Sequence, residues 1–453
     1  MRTGIYRLLS LLSKTLIGYC VLPMVVSTSA WALDAKAHVE KAIELMEDAQ
    51  WSLARTYLAP ALISPLLSTG ERSRAYYLRG YTFLAQDMPV SARKDFNRSL
   101  EFAPENPAAL VELGRLYADG RGTARDPEQA FLFFETAAQK EHVTAQYYLG
   151  RAYLEGLGVD KNVVRARELL TTAAGEGHIF AMLNLAGSYR AQAVADPDPR
   201  VAKAWYDKAY NAGEAGALLS LGYMYANGEF GEPEPEKAVE YFQRAADGGV
   251  ATAAASLAHA YTTGAGVEVD HARAFALYQE AAVAGVTSSY VGLGYLYEEG
   301  LGVNRSEARA LEWYGKGAAA GDLNAHRRLV GHYLSKPGLE SRKKALYWSR
   351  LAAEGGSAQA RNDYAWLLAT SKDAELRNGT LAVDQALRAV EADAVNPAYL
   401  DTLAAAYAET GEFEEAVAAQ RQALNALDTG DGEMRADFEN RLTYYQSNRA
   451  WRE

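Results

Sequence analysis

Apolar positions along this chain keep a helical rhythm, and that rhythm itself repeats. A Leu followed by Gly or Ala, and once by Val, returns at Leu113-Gly114, Leu149-Gly150, Leu185-Ala186, Leu221-Gly222, Leu257-Ala258, Leu293-Gly294 and Leu329-Val330, a constant step of 36 residues. Four places before the Leu stands an Ala (Ala109, Ala145, Ala181, Ala217, Ala253, Ala325), replaced once by Ser289. Three places after the small residue stands a Tyr: Tyr117, Tyr153, Tyr189, Tyr225, Tyr261, Tyr297 and Tyr333. Offsets of three and four fall on one helical face, so each unit predicts a first helix with this stripe buried. The small residue within the stripe lets a neighbouring helix approach closely.

A second stripe follows in each unit, as in Ala130, Phe134, Ala137 and Ala138, in Ala204, Tyr206 and Ala209, and in Ala310, Trp313, Tyr314 and Ala318. It predicts a second helix that packs back on the first. Between the two lie Gly120-Arg121-Gly122, Gly156-Leu157-Gly158, Gly264-Ala265-Gly266 and Gly300-Leu301-Gly302. Glycine accepts positive φ after a helix end, so these predict C-caps and tight turns. The third unit replaces the glycine loop with Ala191 to Pro199 and the seventh with Ser335-Lys336-Pro337-Gly338, where bends or exposed loops are expected. The proline cluster Glu232-Pro233-Glu234-Pro235 falls in a turn.

The pattern A-x-x-x-L-G-x-x-Y, then G-x-G-V, then a second helix with A-x-x-W/F-Y-x-x-A-A resembles the Sel1-like repeat. Its best copies are Tyr153 to Val159 and Tyr297 to Val303. Flanking segments step by about 34 residues, the tetratricopeptide length. Gly80, Phe83, Ala92, Phe96 and Pro104 match positions of that family, as do Tyr364 to Ala369, Tyr399 to Tyr407, Gly411, Ala416 and Ala423; a degenerate unit falls around Ala42, Ala54 and Leu58. The resemblance implies an all-α fold, an α-solenoid in which antiparallel helix pairs wind as one right-handed superhelix. The expected division is a signal peptide at 1–32, tetratricopeptide-like repeats at 33–106, seven Sel1-like repeats at 107–356, two further tetratricopeptide-like repeats at 357–428 and a capping helix at 429–453. In that tail Phe438, Leu442 and Tyr445 alternate with charges, which suits a terminal helix with one face in water.

Composition sharpens the picture. With 49% hydrophobic and 23% charged residues, the 453-residue chain has the apolar surface that an ordered core needs. A net charge of -11 argues against a nucleic-acid partner, because phosphate-backbone binding needs a dense Lys/Arg field. Arg2, Arg7 and Lys14, the apolar run Thr15 to Val26 and the small residues of Ala30-Trp31-Ala32 compose a secretory signal, with cleavage expected after Ala32 and a periplasmic location. An uncleaved inner-membrane anchor is the alternative, and membrane contact is expected only in that case. Cys20 is the only cysteine, so a chain cleaved after Ala32 has no thiol. Tyr19 stands just before it, where a lipid-attachment site places a small residue.

The glycine loops follow helices, not strands, and so do not read as phosphate cradles. The seven histidines show no H-x-x-x-H pairing, and His142 and His178, at equivalent repeat positions, read as surface groups near loops. No nucleophile signature is present. No metal, no cofactor and no enzymatic activity are therefore expected. What remains is recognition along a concave face. Carried over by offset from the small residue, the groove that the tetratricopeptide resemblance implies comprises Arg115, Asp119, Tyr147, Arg151, Glu155, Arg190, Tyr223, Asn227, His259, Tyr295 and Glu299. Mixed aromatic, charged and amide groups suit a protein partner. Exported Sel1-like proteins include accessory factors of exopolysaccharide export, so the expected role is a scaffold or adaptor for other proteins of the cell envelope. An envelope-glycan binding or regulatory module, with groove tyrosines stacked on sugars, is the alternative.

Overall fold

The computed structural model describes residues 28–190, 196–428 and 432–453. Most of the targeting segment, and residues 191–195 of the third unit's long loop, lie outside the described residues. Among the described residues there are 23 α-helices, one 3₁₀ turn at Ala374–Leu376 and no strand. The chain divides into two compact units, Met1–Trp205 and Tyr206–Glu453.

The first unit contains α1 (Thr28–Glu47), α2 (Trp51–Ile63), α3 (Thr69–Leu84), α4 (Pro89–Phe102), α5 (Pro107–Asp119), α6 (Pro127–Ala138), α7 (Val143–Glu155), α8 (Val163–Gly175) and α9 (Ile179–Ser188), and α10 (Pro199–Asn211) runs through its boundary. The second contains α11 (Gly216–Ala226), α12 (Pro235–Asp247), α13 (Ala251–Thr263), α14 (His271–Val283), α15 (Thr287–Glu299), α16 (Glu307–Ala319), α17 (Leu323–Ser335), α18 (Leu339–Glu354), α19 (Ala358–Thr370), α20 (Gly379–Ala392), α21 (Pro397–Thr410), α22 (Phe413–Ala426) and α23 (Gly432–Gln446). Within each unit, helices pack as successive pairs and each pair stacks on the next, the arrangement of an α-solenoid.

The packing shows why the repeat carries these residues. A Cβ added at Gly114 would lie 2.4 Å from the Phe134 ring, and one at Gly294 would lie 2.4 Å from the Tyr314 ring. Both distances are far inside carbon contact, so the small residue of the first helix is the socket for the aromatic ring of the second. Ala109, Leu113, Phe134 and Ala137 are accordingly buried, and so are their counterparts in the next five units.

The two loop glycines serve different ends. Gly156 has φ +76 and caps α7, its N–H bonding to the Ala152 carbonyl. Gly158 also has positive φ, but a Cβ there would lie 2.1 Å from the Pro127 carbonyl oxygen, at the start of the preceding unit's second helix. The same approach recurs at Gly122 on Pro89, Gly266 on Pro235 and Gly302 on His271. The second glycine is thus a point where one pair rests on the pair before it.

Each loop closes in the same way. The N–H of Asp126, Asn162, Asp270 and Ser306 donates to the carbonyl of Tyr117, Tyr153, Tyr261 and Tyr297 at 2.9 to 3.0 Å. Those four side chains then accept from the backbone three residues on, as N-caps of α6, α8, α14 and α16. Ser335 ends α17, and Lys336 to Gly338 form an exposed loop, as expected of the seventh unit. His142 and His178 correct their reading as surface groups: both are partly buried, and their Nδ1 atoms accept from Ala145 N–H at 3.3 Å and Ala181 N–H at 3.1 Å, capping α7 and α9. They occupy the N-cap where Asp322 stands in a later unit.

Candidate functional site

Most groove positions lie on the first helix of a pair or just past its end, one or five residues beyond the small residue, so their side chains leave the helix beside the buried stripe, while Tyr147 stands three before that residue and Arg190 four beyond it. In the first unit most are engaged with their own neighbours. Arg115 pairs with Glu112 at 2.9 Å and reaches over the Tyr148 ring, while Asp119 is exposed at the end of α5. Glu112 is buried, and that burial pushes its carboxyl up against the lowering pull of Arg115. Arg151 and Glu155 form an ion pair along α7 at 2.8 Å. Tyr147 is 8% exposed, its ring stacked on His178 with centroids 4.5 Å apart. It therefore serves packing between α7 and α9 instead of presenting a free face. Arg190 follows the end of α9, its N–H bonded to the Gly187 carbonyl.

In the second unit the positions converge. Tyr223 and Asn227 from α11 and its cap, His259 from α13 and Tyr295 from α15 all line one cavity of about 990 Å³. Glu299, at the exposed end of α15, is outside its lining. Tyr223 is 41% exposed, its hydroxyl 2.6 Å from Ser256 Oγ and its ring edge-to-face with Phe242 at 5.2 Å. These contacts fix the ring while leaving part of it open to a ligand. Arg328 of α17 lies 5.5 Å above the Tyr295 ring and 3.4 Å from the Glu298 carboxylate. A cation, an imidazole, an amide and two phenols thus surround an apolar floor.

That floor comes from residues the offset rule passes over, Phe242 and Tyr278 of the second helices. Tyr278 reaches the cavity because Gly292 stands opposite, where a Cβ would lie 2.4 Å from its ring. Burial pushes the Tyr278 hydroxyl up to about 12, so it remains a neutral donor at physiological pH. The sequence signals were present, since both rings belong to the second-helix stripe and Gly292 is an extra glycine inside a first helix. No cluster of His, Cys, Asp or Glu able to hold a metal occurs among the described residues. Nor is any helix among them long and apolar enough to cross a membrane. The cavity offers van der Waals surface and hydrogen bonds, the means of recognition.

A family model described as Sel1 repeat matches seven consecutive segments, residues 107–142, 143–178, 179–214, 215–250, 251–286, 287–322 and 329–357, together more than half of the chain. The chain belongs to the Sel1 repeat family. Among solved structures, this Sel1 repeat protein is similar to a protective antigen of uropathogenic Escherichia coli displaying an SLR fold, with 25% identity over 85% of this chain and 82% of that one, at a TM-score of 0.48. A Sel1 repeat protein from Oxalobacter formigenes matches at 26% identity over 53% of this chain and 96% of that one, at a TM-score of 0.45. A sel1 repeat protein from Klebsiella pneumoniae matches at 21% identity over 42% and 92%, at a TM-score of 0.33. No curated protein matches the chain.

Proposed function

We propose that this Sel1 repeat protein is a non-enzymatic scaffold that holds a partner protein of the cell envelope against the cavity between Tyr223 and Tyr295. Repeat proteins of this family are generally protein-interaction scaffolds, and the cavity gives that general role a place. The observation that carries the reading is convergence. Side chains from three successive first helices, chosen by repeat offset alone, line one 990 Å³ space with an aromatic floor. Partly exposed tyrosines held in place by packing lose little freedom on binding, and aromatic anchors of this kind dominate protein interfaces.

The reading places the scaffold in the periplasm after removal of residues 1–32, on the strength of the basic, apolar and small-residue succession in that segment. A role in exopolysaccharide export or envelope assembly is the pathway that the compartment and the repeat content support.

Crosslinking and capture with the tagged chain in envelope fractions should enrich a defined set of proteins. Replacing Tyr223, Asn227 and Tyr295 together by Ala should deplete that set at unchanged helicity. Equal capture by the triple variant removes the cavity from the function. Retention of the protein by sedimented polysaccharide, lost in the same variant, would replace the protein partner with a glycan. Fusion of residues 1–40 to a reporter active only after export tests the compartment.

A further inference from the structure

A second cavity lies toward the other end of the same unit, and nothing assigned so far uses it. Its volume is about 570 Å³, within the range of roughly 300–1,000 Å³ that ligand pockets occupy. The walls come from α17, α18, α19 and α21, and α23 closes one side with Met434, Phe438 and Arg441.

Three large apolar side chains stand at its edge in contact with solvent: Leu323 at 37%, Leu334 at 45% and Met434 at 44% exposure. Leu and Met left open around a concavity form the kind of patch that marks an interaction site. The interior is incompletely satisfied as well. Ser349 Oγ and Asn362 Oδ1, on residues that line the cavity and are 3% and 7% exposed, have no hydrogen-bond partner among the described residues. Asn362 Nδ2 turns toward the Asp363 carboxylate, which leaves the carbonyl oxygen as the atom in want of a donor.

The kind of occupant is suggested by what already lies against α19. Residues 450–453 follow α23 without helix and lie against α19. The Glu453 N–H donates to the Thr370 carbonyl at 2.8 Å, and the Glu453 carboxylate accepts from Trp366 Nε1 at 2.9 Å. Arg452 donates to the Ala369 carbonyl and pairs with Glu409. This surface therefore holds non-helical chain through a backbone N–H and side chains, and Trp366 and Glu453 both border the cavity.

We propose that this cavity is a peptide-binding site, which takes a branched or aromatic apolar side chain of an extended partner segment laid alongside residues 450–453. The side chain fills the space between α17 and α23, and a backbone N–H of the segment supplies the donor that Asn362 lacks. The site stands apart from the cavity at Tyr223 and does not depend on that reading.

The test uses the full chain and the tripeptides Ac-Ala-X-Ala-NH2 with X as Leu, Phe or Lys, followed by calorimetric titration. The Leu and Phe peptides should bind, with the Lys peptide weaker by at least about tenfold, because its charged end would have to be desolvated. A Cβ at Gly331 meets nothing within 4 Å, so Gly331→Phe plugs the cavity while removing a glycine from mid-helix, and it should abolish binding without loss of helicity. Ala398→Trp, at an exposed wall position, plugs it from α21 and should do the same. Asn362→Leu should weaken the peptides about five- to tenfold. Binding that survives both plugs, or that fails to distinguish Leu from Lys, overturns the proposal. So does binding of toluene with none of the peptides. The Tyr223, Asn227 and Tyr295 variant should bind these peptides as the parent does, which separates failure here from failure of the first site.

Discussion

At the scale of single residues, two features of the repeat can be weighed directly. Gly114 and Gly294 each face an aromatic ring that a Cβ would overlap. Gly114→Ala or Gly294→Ala gains helix propensity yet forces the ring of Phe134 or Tyr314 aside, and overpacking costs about 1–3 kcal/mol, so the net effect should be destabilising. Chemical denaturation followed by helicity checks it, and a stabilised variant would show that the ring relocates freely. The capping histidines act through pH. Burial lowers the affinity of His142 and His178 for a proton, since the charged ring loses hydration. Protonation would also remove the Nδ1 lone pair that accepts from the helix. Below the ordinary histidine value of 6.5 the unfolded chain binds protons that the folded chain refuses, so stability present above that pH is lost as pH falls. His142→Asn with His178→Asn keeps an N-cap acceptor and should flatten the decline in melting temperature between pH 7.5 and 5.

At the scale of helices and loops, the two glycines of one loop should differ in what their loss does. Gly156→Ala introduces left-handed strain at a cap, worth about 1 kcal/mol, and crowds only the flexible Lys161 side chain at 3.1 Å. Gly158→Ala adds a Cβ 2.1 Å from the Pro127 carbonyl and must push α6 away. Hydrogen exchange should then rise in α6 and α7 for Gly158→Ala and stay near the parent for Gly156→Ala. Equal exchange in the two variants would mean that the second glycine is merely a turn. The C-terminal helix offers a comparable contrast. Asp401 and Arg441 pair at 2.8 Å with side chains 7% and 12% exposed, and Gln420 donates to the same carboxylate at 2.7 Å. Arg441→Met strands a buried carboxylate and should cost about 3–5 kcal/mol, whereas Asp401→Leu with Arg441→Met should recover most of it. If the double variant is no more stable than the single, the pair is not what holds α23 on α21.

Across the whole molecule, the 36-residue register carried most of what could be read in advance. Helix pairs, caps and the buried stripe are local or nearest-neighbour matters, and a repeated sequence states them seven times. What escaped depends on contacts between units of the pattern. The second loop glycine looked like a turn residue because its partner, the Pro127 carbonyl, is backbone and leaves no mark on composition. Tyr147 has the same offset whether it faces solvent or the ring of His178, and only the neighbouring pair decides. Asp401 and Arg441 belong to segments without a shared period, so no spacing announces them. The same locality governs how damage spreads. Gly114 acts on α5 and α6 in the first unit, and Gly294 acts on α15 and α16 in the second. Where helix pairs pack mainly on the pairs next to them, stability is close to a sum of local terms. Combining Gly114→Ala with Gly294→Ala should therefore give the sum of the single effects within about 0.5 kcal/mol. Hydrogen exchange should place the two losses in separate stretches, around α4 to α7 and around α14 to α17. A combined effect well beyond the sum, or exchange rising evenly along all the helices, would mean that the chain unfolds as one cooperative body instead of pair by pair.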